Sequence, residues 1–128
     1  MNLMRVLGRW YPAFLMMAAI FALSSRPSDE LPSFYLFDTL VKKGGHMTGY
    51  GLLAVSYLYA FNHHGRKSFY LAWLLTVLYA ITDEYHQSFI PSRHPSIWDV
   101  VLFDNFGAMI ALGLVFWRRK LNAVVPKY

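Results

Sequence analysis

Residues 83–93 set Asp83, Glu84, His86, Gln87 and Arg93 beside one another, just after an apolar run that ends at Ile81. Two carboxylates, an imidazole, an amide and a guanidinium suit the binding of a polar head group or the movement of a proton. Arg93 can grip a carboxylate or phosphate through two parallel hydrogen bonds. Other polar groups punctuate the remaining apolar runs: Lys43, His46 and Tyr50 lead into one, and Asp99, Asp104 and Asn105 open another. On a helix, Thr76, Tyr79, Asp83 and Gln87 share a face with His86 beside it, and His46, Tyr50, Leu53 and Tyr57 form a second such stripe. Neither H-x-x-x-H nor H-E-x-x-H spacing is present, so no metal or other cofactor is expected.

The elements that must position these residues follow from composition. Of 128 residues, 56% are apolar and only 15% charged, against about a quarter charged in a soluble domain. A water-facing surface would be poorly solvated, so lipid is the natural solvent, and the 18% aromatic content fits interfacial anchoring by Trp and Tyr. There is no cysteine, which excludes disulfides and thiolate metal sites. The net charge of +5 is explained by basic membrane loops, and nucleic acid is not expected as a partner. The chain reads as all-α: one domain, residues 1–128, forming an integral membrane four-helix bundle, with spans at about 7–25, 46–62, 68–87 and 97–117. Most of the apolar runs fall short of the roughly 20 residues a bilayer requires, so polar flanking residues, His46, Asp83 and Glu84 among them, are drawn to the bilayer boundary. The first span has the look of a signal peptide, but three more apolar runs follow it and it reads as retained. The stretch from Leu31 to Phe37 reads as an interfacial segment.

Basic residues set the orientation. Arg5, Arg9, Arg66, Lys67, Arg118, Arg119, Lys120 and Lys127 fall on one side, against Arg26, Lys42, Lys43 and Arg93 on the other. Both termini are therefore expected in the cytoplasm. The seven acidic residues all lie on the outer side or in the fourth span. Asp104, about 20 Å outward of Trp117 by helical rise, must face the bundle, with Lys43, Arg93 or a protonated His46 as its partner, because an ionised Asp at that depth costs roughly 2.5–3.5 kcal/mol. Other features read structurally. Ser96-Ile97-Trp98-Asp99 has the form of a capping box. Gly45-xxx-Gly49 and Gly107-xxx-Ala111 are small-residue pairs that let helices approach. Pro91-Ser92 and Pro95 make turns, and His63-His64 is a solvated pair.

Three blocks make the chain similar to the VanZ-like family of bacterial membrane proteins. They are Lys43-Gly-Gly-His46 through Tyr50-Gly51-Leu52-Leu53, Thr82-Asp83-Glu84-Tyr85-His86-Gln87 through Arg93, and Ser96-x-x-Asp99-Val100 continuing to Asp104-Asn105-Phe106-Gly107-Ala108, with Ser24-Ser25 preceding them. Gly49 stands where the family pattern tends to carry an acidic residue. Asp99 and Asp104 are five apart rather than one turn apart, which on an α-helix separates them by about 140°. The family takes its name from a protein associated with resistance to the lipoglycopeptide teicoplanin, so the resemblance implies a cell-envelope role linked to glycopeptide resistance.

Three functions are compatible with these residues. The first is binding of a lipid-linked or anionic envelope ligand, such as a cell-wall precursor or lipoglycopeptide, in an outward pocket of Lys43, His46, Tyr50, Asp83, Glu84, His86, Gln87, Arg93, Asp99, Asp104 and Asn105. The second is an enzyme acting on a lipid phosphate, with a histidine nucleophile set by an acidic partner; the spacing of the Ser-Arg and His-Asp elements does not fit the membrane lipid phosphatases. The third is a proton relay or transporter through Asp104, Tyr50, Tyr57 and Thr76.

Overall fold

A computed structural model describes residues 3–62 and 65–124; His63, His64 and Lys127 lie outside the described residues. Four long helices run antiparallel in sequence order: α1 (Leu3–Ser24), α2 (Asp38–Phe61), α3 (Arg66–Gln87) and α4 (Asn105–Val124), the last entered through a π-helical turn at Asp99–Asp104. No strand occurs among the described residues.

Helix α2 is the hub against which the other three pack. It begins at Asp38, eight residues ahead of the expected span, and so places Lys42 and Lys43 on a helix rather than in a loop. Asp38 suits a helix start, since a carboxylate in the first turn meets the positive end of the dipole, and it pairs with Lys42 one turn on at 2.8 Å. The helix ends where Asn62 takes a left-handed conformation, φ 51°, and its N–H bonds to the Tyr59 carbonyl. Helix α1 carries Pro12 in its interior, which removes one intrahelical hydrogen bond.

The bundle core is made from small and medium side chains, among them Ala13, Leu53, Ala54, Leu58, Ala72, Ala80, Ala108 and Leu112, with the buried rings of Tyr50 and Tyr57 between helices. The closest approach is between α2 and α4. A Cβ built on Gly107 would stand 2.7 Å from Met47 Cα and collide with the Met47 carbonyl, and one on Gly51 would lie 3.2 Å from Ala111 Cβ. Gly107-xxx-Ala111 thus works as a helix-packing pair, but its partner is Gly51. Gly45 meets nothing within 4 Å and Gly49 only an Ile20 methylene, so the expected Gly45-xxx-Gly49 pair makes no close helix contact.

Large apolar side chains cover the outside; Phe14, Phe21, Leu52, Ile110, Phe116 and Trp117 are each about half exposed or more. Two helical segments, Met4–Ser24 and Asp99–Ala123, are long and apolar enough to cross a membrane. Helices α2 and α3 fall below that mark, because they carry the inward polar side chains on which the site is built.

Candidate functional site

Antiparallel packing brings the C-terminal ends of α1 and α3 beside the N-terminal ends of α2 and α4, and the polar residues gather there in three linked groups. The innermost centres on Asp83, which is 3% exposed. One of its carboxylate oxygens, Oδ2, accepts hydrogen bonds from Ser24 Oγ at 2.7 Å, Tyr50 OH at 2.9 Å and Gln87 Nε2 at 3.0 Å. Three donors on one oxygen offset much of the cost of taking a carboxylate out of water. Asp83 Oδ1 is buried and has no hydrogen-bond partner among the described residues. The second group is His46 Nδ1 against Asp104 Oδ1 at 3.2 Å, with Asp104 2% exposed. The His46 ring stacks on that of Tyr50 at 6.1 Å, which joins this pair to the first group. The third is Lys43 Nζ against Asp99 Oδ1 at 3.2 Å, with the ammonium 4.2 Å from the centre of the Phe103 ring.

The π turn resolves the phase problem posed by Asp99 and Asp104. The Asn105 N–H bonds to the Val100 carbonyl, an i→i+5 link, and in such a turn residues five apart stand roughly one above the other. Both carboxylates consequently meet one face of α2, where Lys43 and His46 are three residues apart. The expected capping box does not form: no side chain caps this helix start, Asp99 is paired with Lys43, and the Ser96 N–H donates to Glu84 Oε1.

The remaining sequence candidates brace the cluster from outside. Glu84 holds the start of the fourth helical segment through Ser96. His86 Nε2 lies 3.0 Å from Ser25 Oγ, and its ring stacks on Phe21 at 4.5 Å, fixing α3 to α1. Asn105 Oδ1 accepts from Trp73 Nε1 at 2.7 Å, a strut between α4 and α3. Arg93, considered above as a partner for Asp104, points elsewhere: Nε and Nη2 donate to the carbonyls of Arg26 and Leu23 at 2.9 and 2.8 Å. There it satisfies the Leu23 carbonyl in the last turn of α1, at the negative end of its dipole, and the Arg26 carbonyl just beyond the helix. Nearby, Asp29 accepts from Ser92 Oγ at 2.7 Å, and that hydroxyl holds the Asp29 carboxyl below its ordinary value. Tyr50 donates to Asp83, Thr76 to the Ala72 carbonyl, and Asp104 meets His46, so among the described residues no hydrogen bond links Asp104, Tyr50, Tyr57 and Thr76 into a proton relay. Among the described residues, no three His, Asp or Glu side chains are arranged to hold a metal ion.

Sequence reasoning did not include Ser24 or Phe103 among the site residues. Ser24 carried two usable signals, its place in the family resemblance and a hydroxyl at the end of an apolar span, where a polar side chain must find a partner inside the bundle.

The sequence model of the family described as VanZ/LLP1 matches residues 3–119. The chain belongs to the VanZ-like family. No curated protein and no solved structure matches it. In this VanZ-like chain the three resembling blocks supply the part of α2 from Lys43 to Leu53, the end of α3 and the π turn, and together they furnish every side-chain contact of the cluster except that of Ser24.

Proposed function

We propose that this is a four-span protein of the bacterial plasma membrane, with both termini cytoplasmic, whose polar cluster faces the outer leaflet and binds the head of a lipid-linked envelope molecule, a cell-wall precursor or a lipoglycopeptide. The observation that carries the reading is Asp83 Oδ1, a buried acceptor left open within a fixed set of donors. Charge balance refines it. Asp83, Glu84, Asp99 and Asp104 outnumber Lys43 and His46, and Arg93 is held at the end of α1, so acceptors are in surplus. Such a site favours ligands rich in hydroxyl, amide and amine donors over bare anions. Membrane embedding is supported by the two long apolar helices, the exposed apolar exterior and the excess of basic residues at the opposite end.

Two measurements test this. The chain has no cysteine, so single cysteines at Ser33 and Lys120 can be labelled with an impermeant maleimide. Ser33→Cys should react from outside intact cells and Lys120→Cys only after permeabilisation; the opposite pattern refutes the orientation. Protein in phosphatidylcholine nanodiscs should bind teicoplanin or a lipid-linked peptidoglycan precursor saturably, with binding lost in Asp83→Asn and kept in Arg93→Gln. If the parent binds neither ligand, or Asp83→Asn binds as well as the parent, the reading fails.

A second reading, an enzyme acting on a lipid phosphate, draws on His46. Asp104 engages Nδ1, while Nε2 makes no hydrogen bond among the described residues, the arrangement a nucleophilic or basic imidazole needs. Against it, Arg93, the guanidinium that such an enzyme would use to hold the phosphate, is bound to the Arg26 and Leu23 carbonyls instead. Purified protein that releases no phosphate from polyprenyl phosphate or phosphatidate, with and without divalent metal, removes it.

A further inference from the structure

The end of the bundle away from the carboxylates carries cations without acids: no Asp or Glu occurs in residues 1–28, 62–82 or 105–128. Helix α3 starts there at Arg66 with no side-chain cap, so the N–H groups of its first turn add to the positive potential. Facing it on α4, the Arg119 guanidinium sits 5.4 Å from the centre of the Phe69 ring. Arg119 Nη1 is buried and has no hydrogen-bond partner among the described residues. A buried cationic donor without an acceptor is costly, and no Asp or Glu lies at this end among the described residues to supply one.

Two apolar grooves meet at Arg66. One, of about 370 Å³, lies between α3 and α4 and is lined by Arg66, Phe69, Leu112, Gly113 and Phe116. The other, of about 450 Å³, runs along α3 beside Arg66, Lys67, Tyr70 and Leu71. The Phe69 and Phe116 rings, both of which line the first groove, meet edge to face at 5.7 Å, and Arg119 stands over the Phe69 ring.

We infer that this end is a binding site for an anionic diacyl phospholipid, its phosphate held between Arg66 and Arg119 and one hydrocarbon chain lying in each groove. The phosphate oxygens supply the acceptor that Arg119 Nη1 lacks, and guanidinium groups match phosphate geometry better than ammonium groups do. Apolar grooves on either side of a cationic rim fit a lipid and give a free phosphate nothing beyond the charge. The inference rests on the membrane reading above, from which it also takes its leaflet, the cytoplasmic one.

The test is native mass spectrometry of protein released from phosphatidylcholine nanodiscs containing phosphatidylglycerol. The parent should retain one phosphatidylglycerol in preference to phosphatidylcholine. Retention should fall at least tenfold in the Arg66→Gln/Arg119→Gln pair. It should fall similarly in Gly113→Leu, which fills the groove without altering charge; Gly113 has nothing within 4 Å of a built Cβ, so the larger side chain fits. The Arg118→Gln/Lys120→Gln pair removes equal charge nearby and should leave retention unchanged. Equal loss in that control pair, or full retention in Gly113→Leu, overturns the site in favour of diffuse attraction. Displacement of the lipid by millimolar inorganic phosphate would also overturn it, since it would mean that the grooves contribute nothing. Failure of the membrane reading is distinguishable, because protein that stays soluble without detergent or nanodiscs never enters the lipid measurement.

Discussion

Replacing Gly107 with alanine should be far more damaging than its one added carbon suggests. The new Cβ would lie 2.7 Å from Met47 Cα and 2.8 Å from its carbonyl carbon, and ordinary contact begins near 3.4 Å. Helices α2 and α4 must therefore separate by at least about 0.7 Å, and by more to clear the Met47 carbonyl oxygen, and both sides of the clash are backbone, which has no rotamer to change. Asp104 is one turn from Gly107, so the same displacement would stretch the 3.2 Å His46–Asp104 contact to about 3.9 Å, outside hydrogen-bonding range. Overpacking costs up to about 3 kcal/mol and a charge-assisted hydrogen bond about 1.5, while the alanine returns about 1 in helix propensity, leaving a net loss of up to about 3.5 kcal/mol. Gly113→Ala is the control, since nothing lies within 4 Å of a Cβ there and the propensity gain stands alone. SDS-driven unfolding in detergent micelles, followed by circular dichroism, should shift well below the parent for Gly107→Ala and stay at or above it for Gly113→Ala. Unfolding of both variants at the parent's midpoint would show that α2 and α4 are not in contact at Met47, and the placement of His46 on Asp104 would fall with it.

Asp83→Leu strands the Ser24, Tyr50 and Gln87 donors and should cost about 3 kcal/mol in the same unfolding assay, against about 1 kcal/mol for Tyr50→Phe, which removes a single donor; equal losses would argue against a shared acceptor. Arg93→Gln should speed amide exchange at the end of α1, around Ser25 and Arg26, without changing ligand binding, and a loss of binding instead would move Arg93 into the site. Asp29 is depressed below 3.8 chiefly by the Ser92 hydroxyl, so its contribution is present above the unfolded value and fades as pH falls through the folded one. In Ser92→Ala the carboxyl titration followed by NMR should move upward, and an unchanged midpoint would refute the bond.

How far sequence foretold structure differs between elements. The runs at 68–87 and 97–117 fall within observed helices because apolar length and terminal charge both mark them. The start of α2 was missed because Gly44-Gly45 reads as a break, each glycine costing about 1 kcal/mol in a helix. The Asp38–Lys42 pair lies before those glycines and supports the helix across them, yet an acid and a base four residues apart in sequence occur in loops as well as in a first helical turn. The packing role of Gly51 was likewise hidden, since small residues are recognised in pairs four apart and Gly51 has its partner on another helix.

For the site, residue types were legible and orientation was not. Carboxylates and cations near an apolar boundary must compensate one another, which is enough to predict that Asp104 faces inward. The choice among Lys43, His46 and Arg93 as its partner depends on helix phase. Helix phase in turn depends on the π turn, a backbone hydrogen-bonding pattern with no signature in the residues that form it. Once that turn is granted, the assignments follow. Asp99 and Asp104 come onto one face and match Lys43 and His46 in order, leaving Arg93 free for the carbonyls of α1. A π turn replaces α-helical hydrogen bonds with less favourable ones and persists only where the surroundings hold it. Here two ion-type contacts to α2 lie at its two ends, the Lys43–Asp99 pair at the first residue and the His46–Asp104 pair at the last. The irregular turn and the polar cluster are therefore one feature: the contacts stabilise the turn, and the turn is what lets two carboxylates five residues apart reach the same helix.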